Sequence, residues 1–188
     1  MSIPKFNPRI AVLLVIMVVV AALRLLSYFT NLGPLTLFTP LGAMALFGGA
    51  YFKGNIKPFA FPLLTLFASD IILSFTIYAP YRSGLLYSGW FWTYAAFALM
   101  AIAGKLIIKH VTVNSVVFAV LAATLTHWLV SDIGGCVQAG VPSLSTYLQR
   151  LGTAIPYELR FLAGTAIYST LMFGTFELMQ KRYPKLAL

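Results

Sequence analysis

Ionisable residues are scarce in this chain, which makes their positions informative: four acidic residues and two histidines stand against thirteen lysines and arginines. Arg24, Asp70, His127, Asp132, Glu158 and Arg160 all fall inside or at the ends of long apolar runs. An ionisable group within a bilayer costs a few kcal/mol, so it faces the bundle interior or a wet cavity and pairs there. Two chemistries fit this set. In solute recognition, Arg24 and Arg160 bind an anionic group while Asp70, Asp132 and Glu158 offset them or accept from donors. In catalysis, His127 serves as general base, oriented by Asp132 or Asp70, which demands both geometry and a matched pKa. No HExxH or GxSxG pattern accompanies them, and no CxxC or histidine-rich spacing suggests a metal. Solute binding is therefore expected, with no catalytic residue, metal or cofactor assigned. Trp90, Trp92, Trp128, Tyr147 and Tyr157 lie at similar depth, and aromatic walls with a few placed polar groups are the usual make-up of a small-molecule site.

Each residue also has a plainer role. Arg24 and Asp70 suit an ion pair between the first and third helices. Asp132 and Arg160 are close enough to span ends to reach the surface. Glu158 follows Pro156 in what reads as a first helical turn, where the helix dipole favours a carboxylate. Tryptophans near span ends serve as interfacial anchors, and His127 suits a hydrogen-bonded core position. The convergence of all of them at one depth carries the expectation of an outward-facing polar pocket.

The elements that must position these residues follow from composition. Sixty per cent of the residues are hydrophobic, 9% are charged and the mean hydropathy is +0.89, against about 25% charged in soluble domains. The sequence reads as an all-α integral membrane protein, a single domain over residues 1–188. Six spans are predicted at about 10–29, 40–52, 58–78, 90–104, 115–133 and 154–179. Lys5, Arg9, Lys53, Lys57, Lys105, Lys109, Lys181, Arg182 and Lys185 fall on one side of this plan, against Arg82 and Arg150 on the other. The positive-inside rule then puts both termini in the cytoplasm, in a multi-pass protein of the cell inner (cytoplasmic) membrane. The net charge of +9 is spent on this asymmetry, and nucleic acid is not an expected partner. The first apolar run reads as a retained helix rather than a cleaved signal.

The second predicted span is short and poor in bulky residues. Gly42, Ala45, Gly48 and Gly49 mark it as a helix-packing element, because small residues let backbones approach in lipid; Pro40 suits its first turn. Thr30 to Pro34 precedes it as a loop. Gly134-Gly135 is expected to break the fifth helix, opening the longest loop, Gly134 to Thr153. Within that loop a short amphipathic helix starting at Pro142 or Ser143 and reaching Leu151 would cover the pocket mouth. Glu177 and Lys181 have the spacing of an i,i+4 surface pair.

With these features in place, the chain resembles the substrate-binding S-component of energy-coupling factor vitamin transporters. The likeness rests on the six-span plan with cytoplasmic ends, the outward pocket, and the stretch Phe38-Thr39-Pro40-Leu41-Gly42-Ala43-Met44-Ala45-Leu46-Phe47-Gly48-Gly49-Ala50, which is similar to the Gly/Ala-rich second helix of that superfamily. The chain also resembles an uncharacterised family of small six-helix membrane proteins, in its Trp128-bearing fifth helix, its Ala154-Ile155-Pro156 start to the sixth and its Leu171-Met172-Phe173-Gly174-Thr175-Phe176-Glu177 end. The S-component likeness implies uptake of a vitamin or similar small solute, and a transmembrane coupling subunit with ATPases as partner. The Ala-xxx-Ala docking spacing of such proteins is absent from the first helix, where Ala11, Ala21 and Ala22 stand. A membrane-embedded enzyme using His127 and a structural or assembly protein stay open beside transport.

Overall fold

The computed structural model describes residues 7–29, 38–138, 140 and 143–186. The helices are α1 (Pro8–Phe29), α2 (Leu41–Tyr51), α3 (Lys57–Ser74), α4 (Trp90–Ile107), α5 (Val113–Gln138) and α6 (Leu144–Arg182). A two-residue antiparallel ladder between α3 and α4 pairs β1 (Arg82–Ser83) with β2 (Leu86–Tyr87). Lys5, the expected loop from Thr30 to Pro34 and the Pro142 helix start lie outside the described residues.

The Gly/Ala-rich segment lies at the centre. Every residue of α2 except Ala50 is buried, and the helix packs against all five others. At 11 residues it rises about 16 Å, roughly half the hydrocarbon thickness of a bilayer, so it is enclosed by protein rather than by lipid. Its small residues set how closely the neighbours come. A methyl added at Gly49 would overlap the Ala101 carbonyl oxygen, and one at Gly104 would lie 2.5 Å from the Leu46 carbonyl oxygen. The backbones of α2 and α4 therefore touch, the close approach that small residues permit in lipid. Gly48 lies against Pro62 of α3, Gly42 against Thr165 and Phe161 of α6, and Ala45 is buried in the same helix.

Helices α1, α3, α4 and α5 are each long and apolar enough to cross a membrane. Their apolar residues point outward as well as inward. Val15, Val18, Val19 and Leu26 of α1 are more than half exposed. This is the surface of a membrane protein, since a water-soluble bundle keeps such a stripe on one face only.

Several boundaries differ from expectation, and glycine explains most of them. Gly134-Gly135 does not end the fifth helix, because Trp92 of α4 sits directly over Gly134, where an added methyl would come within 2.6 Å of its ring. The missing side chain makes room for an indole, and α5 continues to Gln138. Likewise α4 passes through Gly104 to Ile107, because that glycine is a contact point with Leu46. The third helix stops at Ser74 rather than residue 78, and its end is closed by Tyr78 N donating to the Leu73 carbonyl, 2.7 Å.

The largest difference is at α6. The residues expected as a covering helix and those expected as a separate last span form one continuous helix of 39 residues with Pro156 inside it. Its start is fixed by Ser143, whose hydroxyl accepts from Thr146 N at 3.1 Å. Just before Pro156, the Trp128 indole of α5 donates to the Leu151 carbonyl at 3.1 Å. Bracing by a neighbouring helix is how proline is accommodated within membrane helices.

Candidate functional site

All four acidic residues lie on helices, and three of them meet a partner from a different helix. Asp70 of α3 takes Arg24 Nη2 of α1 at 2.8 Å. The Arg24 guanidinium also donates to the Ser69 hydroxyl, and Asp70 receives the Tyr94 hydroxyl of α4 at 3.2 Å. Tyr87, on β2, hydrogen-bonds to Asp70 as well. Burial, and after it the charge of Asp70, push the Tyr87 hydroxyl above the ordinary tyrosine range. It therefore stays protonated and available as a donor. Asp70 is 0% and Arg24 6% exposed, so this network is a closed joint between α1, α3, α4 and the hairpin.

The second group joins α5 to α6. His127 Nδ1 lies 2.9 and 3.1 Å from the two oxygens of Glu158. Its ring stacks on Phe161, with centroids 4.1 Å apart and planes at 14°, and Phe97 of α4 meets it edge-on. The stack fixes the imidazole plane and the carboxylate fixes which nitrogen faces it. Asp132, about a turn and a half further along α5, lies within electrostatic reach of Glu158, His127 and Arg150. Its Oδ2 is sealed from the surface without a hydrogen-bond partner among the described residues. Arg150 lies across Gly135, a placement that only a glycine on α5 allows. Beside Glu158, a groove of about 300 Å³ runs between α5 and α6, lined by Leu121, Leu125, Trp128, Ile155 and Leu159, with Glu158 the only charged lining residue among those described. Its rim residues Leu125 and Leu159 are more than half exposed, so it opens on the apolar flank of the bundle.

The structure thus divides the expected single pocket into two groups. Arg24 and Asp70 are occupied with each other, while Glu158 and Trp128 line the α5/α6 groove, with His127 bonded to Glu158 and Asp132 within electrostatic reach of both. Trp90 stands edge-on to Tyr94 beside the first group, and Trp92 fills the space over Gly134. Tyr157 and Arg160 depart from expectation. Tyr157 is 67% exposed, Arg160 is exposed too, and the guanidinium lies 5.7 Å over the Tyr157 ring. Both point away from the bundle, because they flank Glu158 on a helix that turns only one face inward. Arg160 therefore joins neither group. Tyr147, also expected at the pocket, donates from its hydroxyl to the Leu129 carbonyl at 2.8 Å, tying the start of α6 to α5.

Ser69, Tyr94, Tyr87, Phe161 and Arg150 were not singled out by sequence. Ser69 adjoins Asp70, and Phe161 follows Glu158 by three, so helical spacing was an available signal for those two. Glu177 does not form the surface pair expected with Lys181. It accepts from the Tyr51 hydroxyl of α2 at 2.5 Å, with the Arg9 guanidinium 5.9 Å from the Tyr51 ring. The central helix, buried on all sides, draws the carboxylate inward.

A family model described as "Family of unknown function (DUF6580)" matches residues 4–186, nearly the whole chain. No curated protein and no solved structure matches it.

Proposed function

We propose that this chain, which belongs to the DUF6580 family of unknown function, is a membrane-embedded solute-binding protein whose site lies between α5 and α6. The observation that carries the reading is the apolar groove with the Glu158 carboxylate in its wall, held by His127 and within electrostatic reach of Asp132. A donor seated in the groove meets the Glu158 carboxylate, and a hydrogen bond to a charged group contributes about 1.5–3 kcal/mol. The ligand is accordingly a small molecule with an apolar body and a cationic or hydrogen-bond-donating group. Recognition of an anion by Arg24 and Arg160 is not part of this reading, since one is held by Asp70 and the other faces outward.

Six spans with both ends cytoplasmic, in the cell inner membrane, complete the reading. In this plan α2 is a short span enclosed by protein, and the part of α6 beyond Pro156 is the sixth. Uptake in the manner of an S-component, with a coupling subunit and ATPases, is the transport form of the proposal. The closed Arg24 network favours a structural role for that pair alone. The enzymatic alternative needs a nucleophile or substrate at His127, whose ring hydrogen-bonds Glu158 among the described residues.

Native mass spectrometry of the gently extracted protein tests the reading, with released small molecules identified after denaturation. A stoichiometric compound retained by the parent and lost in Asp132→Asn and Glu158→Gln is the expected result. Equal retention by both variants, or an empty parent with no thermal shift across a panel of amines and vitamins, overturns it.

A further inference from the structure

At the opposite end of the bundle from Asp70 lies a second cavity, of about 400 Å³, where the start of α1 meets the α2–α3 turn. Its walls carry three cationic side chains, Arg9, Lys53 and Lys57, and, among the described residues, no carboxylate. Its inner wall is made by Leu13, Tyr51 and Phe52, all buried. The three cations differ in their commitments. Arg9 donates to the Leu186 carbonyl at 3.2 Å and lies over the Tyr51 and Phe176 rings, so it is held in place. Lys53 and Lys57 are exposed, and neither ammonium has a hydrogen-bond or ion-pair partner among the described residues. Glu177, the acid that meets the Tyr51 hydroxyl of this wall, is engaged by it.

The ammonium groups of Lys53 and Lys57 share one concavity, and an anion bound between them relieves their repulsion. A single acidic side chain would have done so internally, yet none lines the site among the described residues. We propose that this cavity binds a phosphate ester, and specifically the headgroup phosphate of an anionic membrane phospholipid. The shared chemistry of all candidates is a phosphate with two or three lysine and arginine partners. The lipid source is favoured because the cationic rim is continuous with an apolar wall that accepts the start of an acyl chain. The position also suits it: the site lies where the four apolar helices end in basic turns, the level at which basic residues meet anionic headgroups. This proposal uses none of the residues of the α5/α6 site, so either can fail without the other.

The test is native mass spectrometry of the full chain in detergent, titrated with phosphatidylglycerol and, separately, with phosphatidylcholine. The expected result is preferential retention of phosphatidylglycerol, falling about 25-fold in the double variant Lys53→Gln/Lys57→Gln, at about fivefold per lysine near an anionic lipid. The exposed pair Lys109→Gln/Lys181→Gln removes the same charge elsewhere and is expected to leave retention unchanged. Equal retention of both lipids, or the same loss in both double variants, overturns a defined site. Displacement of the lipid by millimolar glycerol phosphate, with that small ester retained instead, overturns the lipid source and assigns the cavity to a soluble phosphate.

Discussion

Replacing Arg24 tests whether the most deeply buried charges of this protein hold the bundle together or hold a ligand. Nη2 lies 2.8 Å from Asp70 Oδ1, with the side chains 6% and 0% exposed. At that separation the attraction is about 6 kcal/mol for an effective dielectric of about 20. Desolvation of the two ions offsets much of it, but removing one partner strands the other, at a cost of about 3–5 kcal/mol. Arg24→Met keeps the aliphatic stem and leaves Asp70, among the described residues, with the Tyr94 and Tyr87 hydroxyls. For a chain of this size each kcal/mol moves the melting temperature by about 2–4 °C, so a fall of about 10 °C is expected. Asp70→Leu strands the Arg24 guanidinium in turn and is expected to cost about as much. Arg24→Met/Asp70→Leu removes both charges and is expected to regain most of the loss, because replacing a whole buried pair by apolar residues is close to neutral. The assay is thermal unfolding of the four proteins in one detergent, followed by tryptophan fluorescence, and the coupling is read from the double-mutant cycle. If Arg24→Met melts within about 2 °C of the parent, roughly the shift from 1 kcal/mol, or if the two single losses simply add, the pair is not the joint described here.

The α2–α4 contact predicts that Gly49→Ala and Gly104→Ala each destabilise by about 1–3 kcal/mol or more through overpacking against backbone. Gly174→Ala on α6, where an added methyl meets nothing within 4 Å, is expected to leave stability equal or raise it by up to about 1 kcal/mol; thermal melts of the three variants rank the effect. Tyr51→Phe removes a donor from the buried side of Glu177 and is expected to cost about 1.5–3 kcal/mol, the weight of a hydrogen bond to a charged group. Glu177→Gln, which can still accept, costs less in the same melt. Tyr87 holds its proton more tightly when folded than its ordinary value of 10.0, chiefly through burial and then through Asp70. The unfolded chain therefore releases that proton first. Its contribution is intact below pH 10 and is lost as pH rises beyond it. Melting temperatures measured from pH 8 to pH 11 should fall less steeply in Tyr87→Phe than in the parent, and parallel curves would show that another group governs the alkaline limb.

Composition by itself determined the class of this protein. With so few charges, no arrangement of the chain can clothe its helices in polar residues, so apolar flanks face outward wherever the helices sit. The small residues of Leu41–Tyr51 likewise announced a tightly packed element, because a helix without bulk has nothing to offer lipid and must be approached by backbone. Ser143, read as one of two starts for a helix, is its cap through a local hydrogen bond to Thr146. These are local or compositional properties, and sequence reports them directly.

Only the tertiary structure decided which partner each charge takes. The pocket expected from shared depth divides into two groups because depth along a helix says nothing of its rotation. Arg160 lies two residues from Glu158 and faces the other way. Glu177 turns from Lys181, four residues on, to Tyr51, 126 residues away in sequence, since burial strengthens a hydrogen bond that water would weaken. The glycines show the same limit. At Gly104 and Gly134 the residue that would end an isolated helix continues a packed one, because the space it leaves is filled by a neighbouring carbonyl or an indole. Whether a glycine breaks a helix or joins two depends on what approaches it, and that is settled by the whole bundle.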